Sequence, residues 1–269
     1  MDPAGPRQQV AERAARAACA PPHLLEPFFS ETNKEVLAAL AHNQNLQERD
    51  MLRLLQRKDL PPEVIRELAA HREAYRNYAV KVALVQHPRT PRLISLPLTK
   101  FLYLFDLVRI CHLPAVPTEI KILAEETILK GTAAIPRGEK ITLARRATGR
   151  VAAALLGAED RELIRAALDN PFLTEANLVR VLTREDLPPP AVELIATHEK
   201  WSCRYHLRLA LVRNPLTPFA RVLAFIPNLA LTDLRDMCLD RRMPEHVRKY
   251  ILAHCAERLA KDRAAPGLL

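Results

Sequence analysis

The chain has only 6 glycines in 269 residues, 5% aromatic residues and no Asn-Gly or Asp-Gly pair. The chemistry that closes tight β-hairpins is therefore missing, which disfavours a β fold. No run of about 18 or more apolar residues occurs, and the N-terminus MDPAGPRQQVAERAARAACA has no apolar block behind its charges. Neither a membrane span nor a secretory signal is expected, and the cytoplasm is the default location. The five cysteines, at 19, 111, 203, 238 and 255, are odd in number, far apart and without a Cys-x-x-Cys pair. That excludes a disulfide framework and a zinc or iron–sulfur motif, and leaves free thiols. No phosphate loop, dinucleotide fingerprint or Gly-x-Ser-x-Gly elbow is present, so the expectation is a protein that is not an enzyme and needs no cofactor or metal.

What is present is apolar residue in quantity, 49% of the chain, and proline, 22 residues. The prolines fall in groups, such as Pro61-Pro62, Pro88/Pro91, Pro114/Pro117, Pro188-Pro189-Pro190 and Pro215/Pro218, between apolar stretches of helical length. They punctuate helices, since proline lacks the N–H a helix interior needs but is tolerated in a first turn. Within the stretches the apolar period is helical: Ile141, Ala144, Val151, Leu155 and Leu156 in 138–156, the stripe of one helix or of a helix pair, then Leu163, Ala166 and Ala167, then Leu178, Val181 and Leu182. Such short helices cannot stand alone in water and must stack on neighbours.

The strongest signal is internal repetition. When residue 57 is laid on residue 184, RKDLPPEVIRELAAHREAYRNYAVKVALVQHPRTP (57–91) matches REDLPPPAVELIATHEKWSCRYHLRLALVRNPLTP (184–218) without a gap, and 57–117 against 184–244 gives 21 identities in 61 positions. His71 meets His198, Tyr78 meets Tyr205, Asp106 meets Asp233, Cys111 meets Cys238, and upstream Asn43 meets Asn170. The division expected is a flexible 1–9, a first helical unit 10–130, a connector 131–136, a second unit 137–258 and a tail 259–269. Residues 57–117 and 184–244 should form the same helices, with Cys111 and Cys238 buried. Thr174, and Thr90 and Thr217 with their following prolines, are expected to cap helices.

The stretches EKITLARRATGRVAAALLGAEDRELIRAALDNPFLTE and HEKWSCRYHLRLALVRNPLTP resemble bacterial HEAT-like, or armadillo-like, α-helical repeat proteins of uncharacterised function. The resemblance covers most of 137–258 and, more weakly, 36–130. It implies an all-α fold, a right-handed α-α superhelix (HEAT-like solenoid) from two tandem copies of a ~127-residue unit, each about three helical pairs of ordinary HEAT length. It brings no catalytic residues.

Function then rests on charge and aromatic placement. Lysines and arginines number 40 against 31 acids, a net charge of +9, and 131–158 alone hold five basic residues and one acid. Those five, Arg137, Lys140, Arg145, Arg146 and Arg150, either line a groove that takes phosphate or an acidic partner, or close a helix whose C-terminal dipole favours cations. A second group gathers the only tryptophan, Trp201, with Arg204, Tyr205, Arg208 and Arg213. Arginine and aromatic residues make binding anchors and can stack on bases, but Trp201 and Tyr205 can equally pack between helical layers. Paired acids such as Glu159-Asp160 and Glu185-Asp186 read as helix-start residues. The expected function is a non-enzymatic scaffold or adaptor that binds a protein partner over an extended repeat surface. The alternative is a nucleic-acid-binding superhelix with a basic groove; the sequence does not fix the oligomeric state, and no membrane insertion is expected.

Overall fold

The structure, a computed structural model, describes residues 4–240 and 243–264. Among these residues every regular element is helical and no strand occurs. None of the described helices is long and apolar enough to cross a membrane. The chain divides into two compact units, Met1–Gly131 and Thr132–Leu269.

The first unit runs α1 (Ala4–Cys19), two 3-10 turns over 22–28, α2 (Lys34–Ala41), α3 (Glu48–Gln56), α4 (Pro62–Ala70), the short α5 (Arg72–Arg76), α6 (Tyr78–Gln86), α7 (Arg92–Thr99), α8 (Leu104–His112) and α9 (Thr118–Gly131). Its helices pack α1 on α2, α2 on α4, α3 on α6, α6 on α7, α7 on α9 and α8 on α9. Their apolar faces supply the core: Leu37 and Leu40, Met51 and Leu54, Ile65 and Leu68, and Val80 and Leu84 are all almost wholly buried. Burying each such side chain contributes about 1.5–3 kcal/mol before the entropy of ordering is subtracted.

The second unit repeats the order with α10 (Arg137–Arg146), α11 (Gly149–Leu155), α12 (Arg161–Leu168), α13 (Glu175–Leu182), α14 (Pro189–Thr197), the four-residue α15 (Glu199–Ser202), α16 (Tyr205–Arg213), α17 (Phe219–Phe225), α18 (Leu231–Leu239) and α19 (Glu245–Ala264). The offset that aligns the two sequences carries the bounds of α2, α4, α6 and α8 onto those of α12, α14, α16 and α18 to the residue, and the start of α9 onto that of α19.

Buried polar side chains hold the same bonds in both units. Asn43 donates to the carbonyls of Ala17 and Ala20 at 2.8 and 2.9 Å. Asn170 donates to those of Ala144 and Ala147 at 2.6 and 2.9 Å. Each thereby ties carbonyls at the end of an earlier helix, α1 for Asn43 and α10 for Asn170, where the last turn leaves carbonyls without intrahelical donors. The carboxyl or amide at the third position of the next helix accepts the N-cap N–H in both, Asp50 from Gln47 and Asn177 from Thr174, each at 3.1 Å. Asn33 and Asp160 cap α2 and α12 with two backbone N–H bonds apiece. Tyr78 donates to Asp106 at 2.6 Å while accepting the N–H of Tyr103 at 2.8 Å. Tyr205 donates to Asp233 and accepts the N–H of Ala230 at 3.1 Å.

One local expectation, on capping, is corrected. Thr174 caps α13, but Thr90 and Thr217 do not cap; their hydroxyls turn back to the carbonyls of Leu84 and Leu211, each at 2.6 Å. The proline after each fixes the chain direction instead, as Pro91 and Pro218 are the N-cap residues of α7 and α17. Of the segments set apart as 1–9 and 259–269, α1 begins at Ala4 and α19 runs to Ala264, while 1–3 and 265–269 lie outside the described residues. The stretch 138–156 is a helix pair, broken at Ala147-Thr148. Gly149 opens its second member because a Cβ there would stand 2.3 Å from the carbonyl oxygen of Phe172.

Candidate functional site

The residues that charge and aromaticity had grouped have different local partners and exposure in the structure. Arg137, in the first turn of α10, is held by two carboxylates of α12, Asp160 at 2.5 Å and Glu162 at 2.7 Å. These hydrogen bonds, that from Asp160 first, push its pKa further up. A guanidinium gripped in this way is not left over for a phosphate. Lys140 is half-buried, and Arg145 and Arg146 are exposed in the last turn of α10, where a cation offsets the negative end of the helix dipole. Arg150 is exposed in the first turn of α11. Arg204, the N-cap residue of α16, and Arg213, in its last turn, are exposed, and Arg208 donates to the carbonyl of Ser202 at 2.7 Å. Helix α10 packs on α11 and α12, and α16 on α13 and α17.

Trp201 is a packing residue. It is 3% exposed, its indole N–H donates to the carbonyl of Leu168 at 2.9 Å, and the Lys200 ammonium lies 4.2 Å from its ring centroid. It offers no free face to a base or to a partner's side chain. Tyr205 commits its hydroxyl to α18 and to the turn before it, as described above. Burial and the bond to Asp106 push the equivalent Tyr78 up to about 12, so its phenol stays a donor.

The histidines at the matching positions are caps. Nδ1 of His71 accepts the N–H of Glu73 and Nδ1 of His198 that of Lys200, both at 3.2 Å. His198 also meets Asp169 at 3.2 Å beside an open cleft of about 410 Å3. The nearby Thr197 hydroxyl donates to backbone carbonyls of its own helix, so this His–Asp pair is not aligned with a nucleophile there. Among the described residues, no group of three or more His, Cys, Asp or Glu side chains is placed to hold a metal ion.

A different feature stands out in the first unit. A cleft of about 300 Å3 opens between α4–α5 and α7, with α6 as its floor. Ala69, Ala74 and Leu84 line its inner side, and Ile94 and Leu98 its wall. Along its lip run Leu93, Pro97 and Phe101, spaced i, i+4, i+8, with Leu93 90% and Phe101 71% exposed. Tyr103, also exposed, stacks on Tyr78 with ring centroids 4.3 Å apart. Lys81 is the one charged residue lining the cleft.

The second unit supplies an internal control for this lip. Its α17 occupies the place of α7, and the residues standing where Leu93, Pro97 and Phe101 stand are Ala220, Ala224 and Asn228. The fold therefore does not require large apolar groups there. Ala74, on the inner side, stands where the second unit has Trp201. Identities between the aligned stretches do not reveal the lip. Its signal is a difference, Leu93 and Pro97 on α7 and Phe101 just past its end against two alanines and an asparagine.

No family model, no curated protein and no solved structure matches the chain.

Proposed function

We propose that the chain is a non-enzymatic adaptor of HEAT-like design, two tandem copies of one helical unit in a right-handed α-α superhelix. The first copy binds another protein through the cleft beside α7. The recurrence of helix bounds and of the Asn, Tyr–Asp and capping hydrogen bonds at one offset supports the duplication, since unrelated helical pairs would not place the same acceptors at a constant spacing along the chain. The observation that carries the function is the lip: large apolar side chains are kept in water in one copy at positions that the other copy fills with Ala220, Ala224 and Asn228. Exposed apolar groups of this kind mark interaction surfaces.

The nucleic-acid reading is less well supported, because Arg137 is neutralised by Asp160 and Glu162 and Trp201 has no exposed face for stacking.

A photo-reactive amino acid placed at 93, and separately at 220, tests the adaptor reading in cells. Crosslinking to polypeptide from 93 and not from 220 is the expected result. No crosslink from either position, together with duplex DNA binding that weakens on Arg145→Ala and Arg146→Ala, would overturn it in favour of nucleic acid.

A further inference from the structure

The charges around the cleft specify what kind of protein segment it takes, an inference that rests on the adaptor reading and narrows it. The stretch that builds the cleft, 57–103, carries nine basic and four acidic residues. Three of the four acids face a cation, Asp59 meeting Arg57 at 2.7 Å, Glu63 meeting Lys34 at 3.3 Å and Glu73 meeting Arg76 at 3.7 Å, and Glu67 meets the His42 imidazole at 3.0 Å. Lys58, Arg72, Lys81 and Lys100 have no carboxylate partner among the described residues, whereas Arg66 shares Glu63 with Lys34. Lys81 lies inside the cleft, and Lys100 directly precedes Phe101 on the lip. The surface thus combines an apolar slot with a surplus of uncompensated cations.

We infer that this cleft receives an amphipathic, acidic helix from a partner protein. Its bulky apolar residues would seat between Leu93, Pro97 and Phe101 on one side and Ala69 and Ala74 on the other, and its carboxylates would meet Lys81 and Lys100. Leu93 and Pro97 are four apart on one face of α7 and Phe101 stands just past its end, which suits the apolar stripe of a second helix laid along the lip. Ala74 deepens the slot where a larger residue would close it. Pro97 adds to this, since it has no N–H to bond the carbonyl of Leu93 and so loosens α7 at the middle of the lip. A second copy of the chain is a poor occupant, because a two-fold contact would bring the same cationic surface against itself. A small polar ligand is poorly served as well, as Lys81 is the only lining side chain able to orient one.

The test uses the full chain and a fluorescent synthetic helix of about 16 residues, with leucines along one face and glutamates elsewhere, beside a twin in which every glutamate is lysine. The acidic peptide binds and the lysine twin does not, and added salt weakens the binding. Leu93→Ala with Phe101→Asn, which installs the second unit's own residues at those exposed places, weakens it roughly tenfold or more. Lys81→Glu with Lys100→Glu weakens it severalfold while leaving the far-UV circular dichroism unchanged. Ala220→Ser, in the other copy, has no effect. Equal binding of both peptides, indifference to the Leu93 and Phe101 changes, or Leu93-dependent sedimentation with phosphatidylserine vesicles in place of peptide binding would overturn the proposal. Crosslinks from position 93 without any binding of the acidic peptide would overturn the acidic-helix chemistry and leave the adaptor reading standing. Absence of both would remove the two together.

Discussion

His87 and Asn214 align at the offset that lays residue 57 on residue 184, and they make the same two kinds of hydrogen bond with different chemistry. Nε2 of His87 meets the carbonyl of Arg57 at 2.8 Å and Nδ1 accepts the N–H of Arg89 at 3.2 Å. The Asn214 amide donates to the carbonyl of Leu182 at 2.9 Å and accepts the N–H of Leu216 at the same distance. A neutral imidazole protonated at Nε2 has a donor at one end and an acceptor at the other, which is what an amide offers. Both residues are buried, and both tie the end of one helix to the turn before another.

The pair predicts a pH effect confined to the first unit. Burial is the main cause that lowers the His87 pKa, and a second proton would sit against the Arg89 N–H. The folded state therefore resists protonation that the unfolded state accepts at its ordinary value of about 6.5. Stability contributed by neutral His87 is complete above that value, and it falls as pH drops from about 6.5 toward the lower folded pKa. His87→Asn should fold and should gain stability relative to wild type as pH falls from 7 to 5. Urea titrations at several pH values check this, and a wild-type-to-variant difference that stays constant over that range would refute it.

The buried amides give a second prediction. Asn170 is fully buried and satisfies two carbonyls and one N–H, the last from Phe172 at 2.7 Å. Asn170→Ala would strand these groups and should cost about 2–4 kcal/mol. Asn170→Asp should cost more, because a carboxylate would face the two carbonyl oxygens that the amide now serves. A loss below about 0.5 kcal/mol for Asn170→Ala in denaturant titration would show that water replaces the amide without penalty.

The helical architecture was legible because it rests on local chemistry that repeats. The helical period, the prolines at helix starts and the alignment of Asn43 with Asn170 and of Tyr78 with Tyr205 can all be read without coordinates. The candidate site was not legible in the same way. Arg137 looks free in the sequence, and only the fold brings Asp160 and Glu162, from the far side of an intervening helix, onto its guanidinium. Trp201 reads equally as an anchor or as a packing residue until the carbonyl of Leu168 is placed against its indole N–H. Leu93 and Phe101 carry no signal of their own in the sequence, because periodicity gives the existence of an apolar face but not whether a neighbour covers it.

Thiol reactivity should follow burial and not repeat position. Burial pushes the Cys111 thiol up to about 12, whereas its counterpart Cys238 is raised less and is only half-buried, so the expectation that both are buried holds for Cys111 alone. Cys255 is buried, and Cys19 and Cys203 are exposed. With a thiol-specific reagent at neutral pH, Cys19 and Cys203 should react first, Cys238 more slowly, and Cys111 and Cys255 only on unfolding. Mass spectrometry of tryptic peptides over time reads the order, and early modification of Cys111 would contradict the packing of α8 on α9.

Trp201 gives a probe that sees one unit only. It is the chain's sole tryptophan, it lies in the second unit, and its buried ring has its N–H bonded to the last residue of α12. Its emission in the native state should be blue-shifted and weakly quenched by acrylamide, and should shift red when the second unit unfolds. Circular dichroism follows helices of both units, so the two signals should separate in urea wherever the units differ in stability. Trp201→Ala removes a large buried side chain and should cost about 3–5 kcal/mol, lowering the transition of the second unit. The first unit has Ala74 at the same place and is unaffected by the substitution, so the variant should lose helicity in two steps, the earlier one carrying about half of the signal. A single, undisplaced transition in Trp201→Ala, or native fluorescence quenched as readily as that of free tryptophan, would show that the indole is not built into the second unit's core.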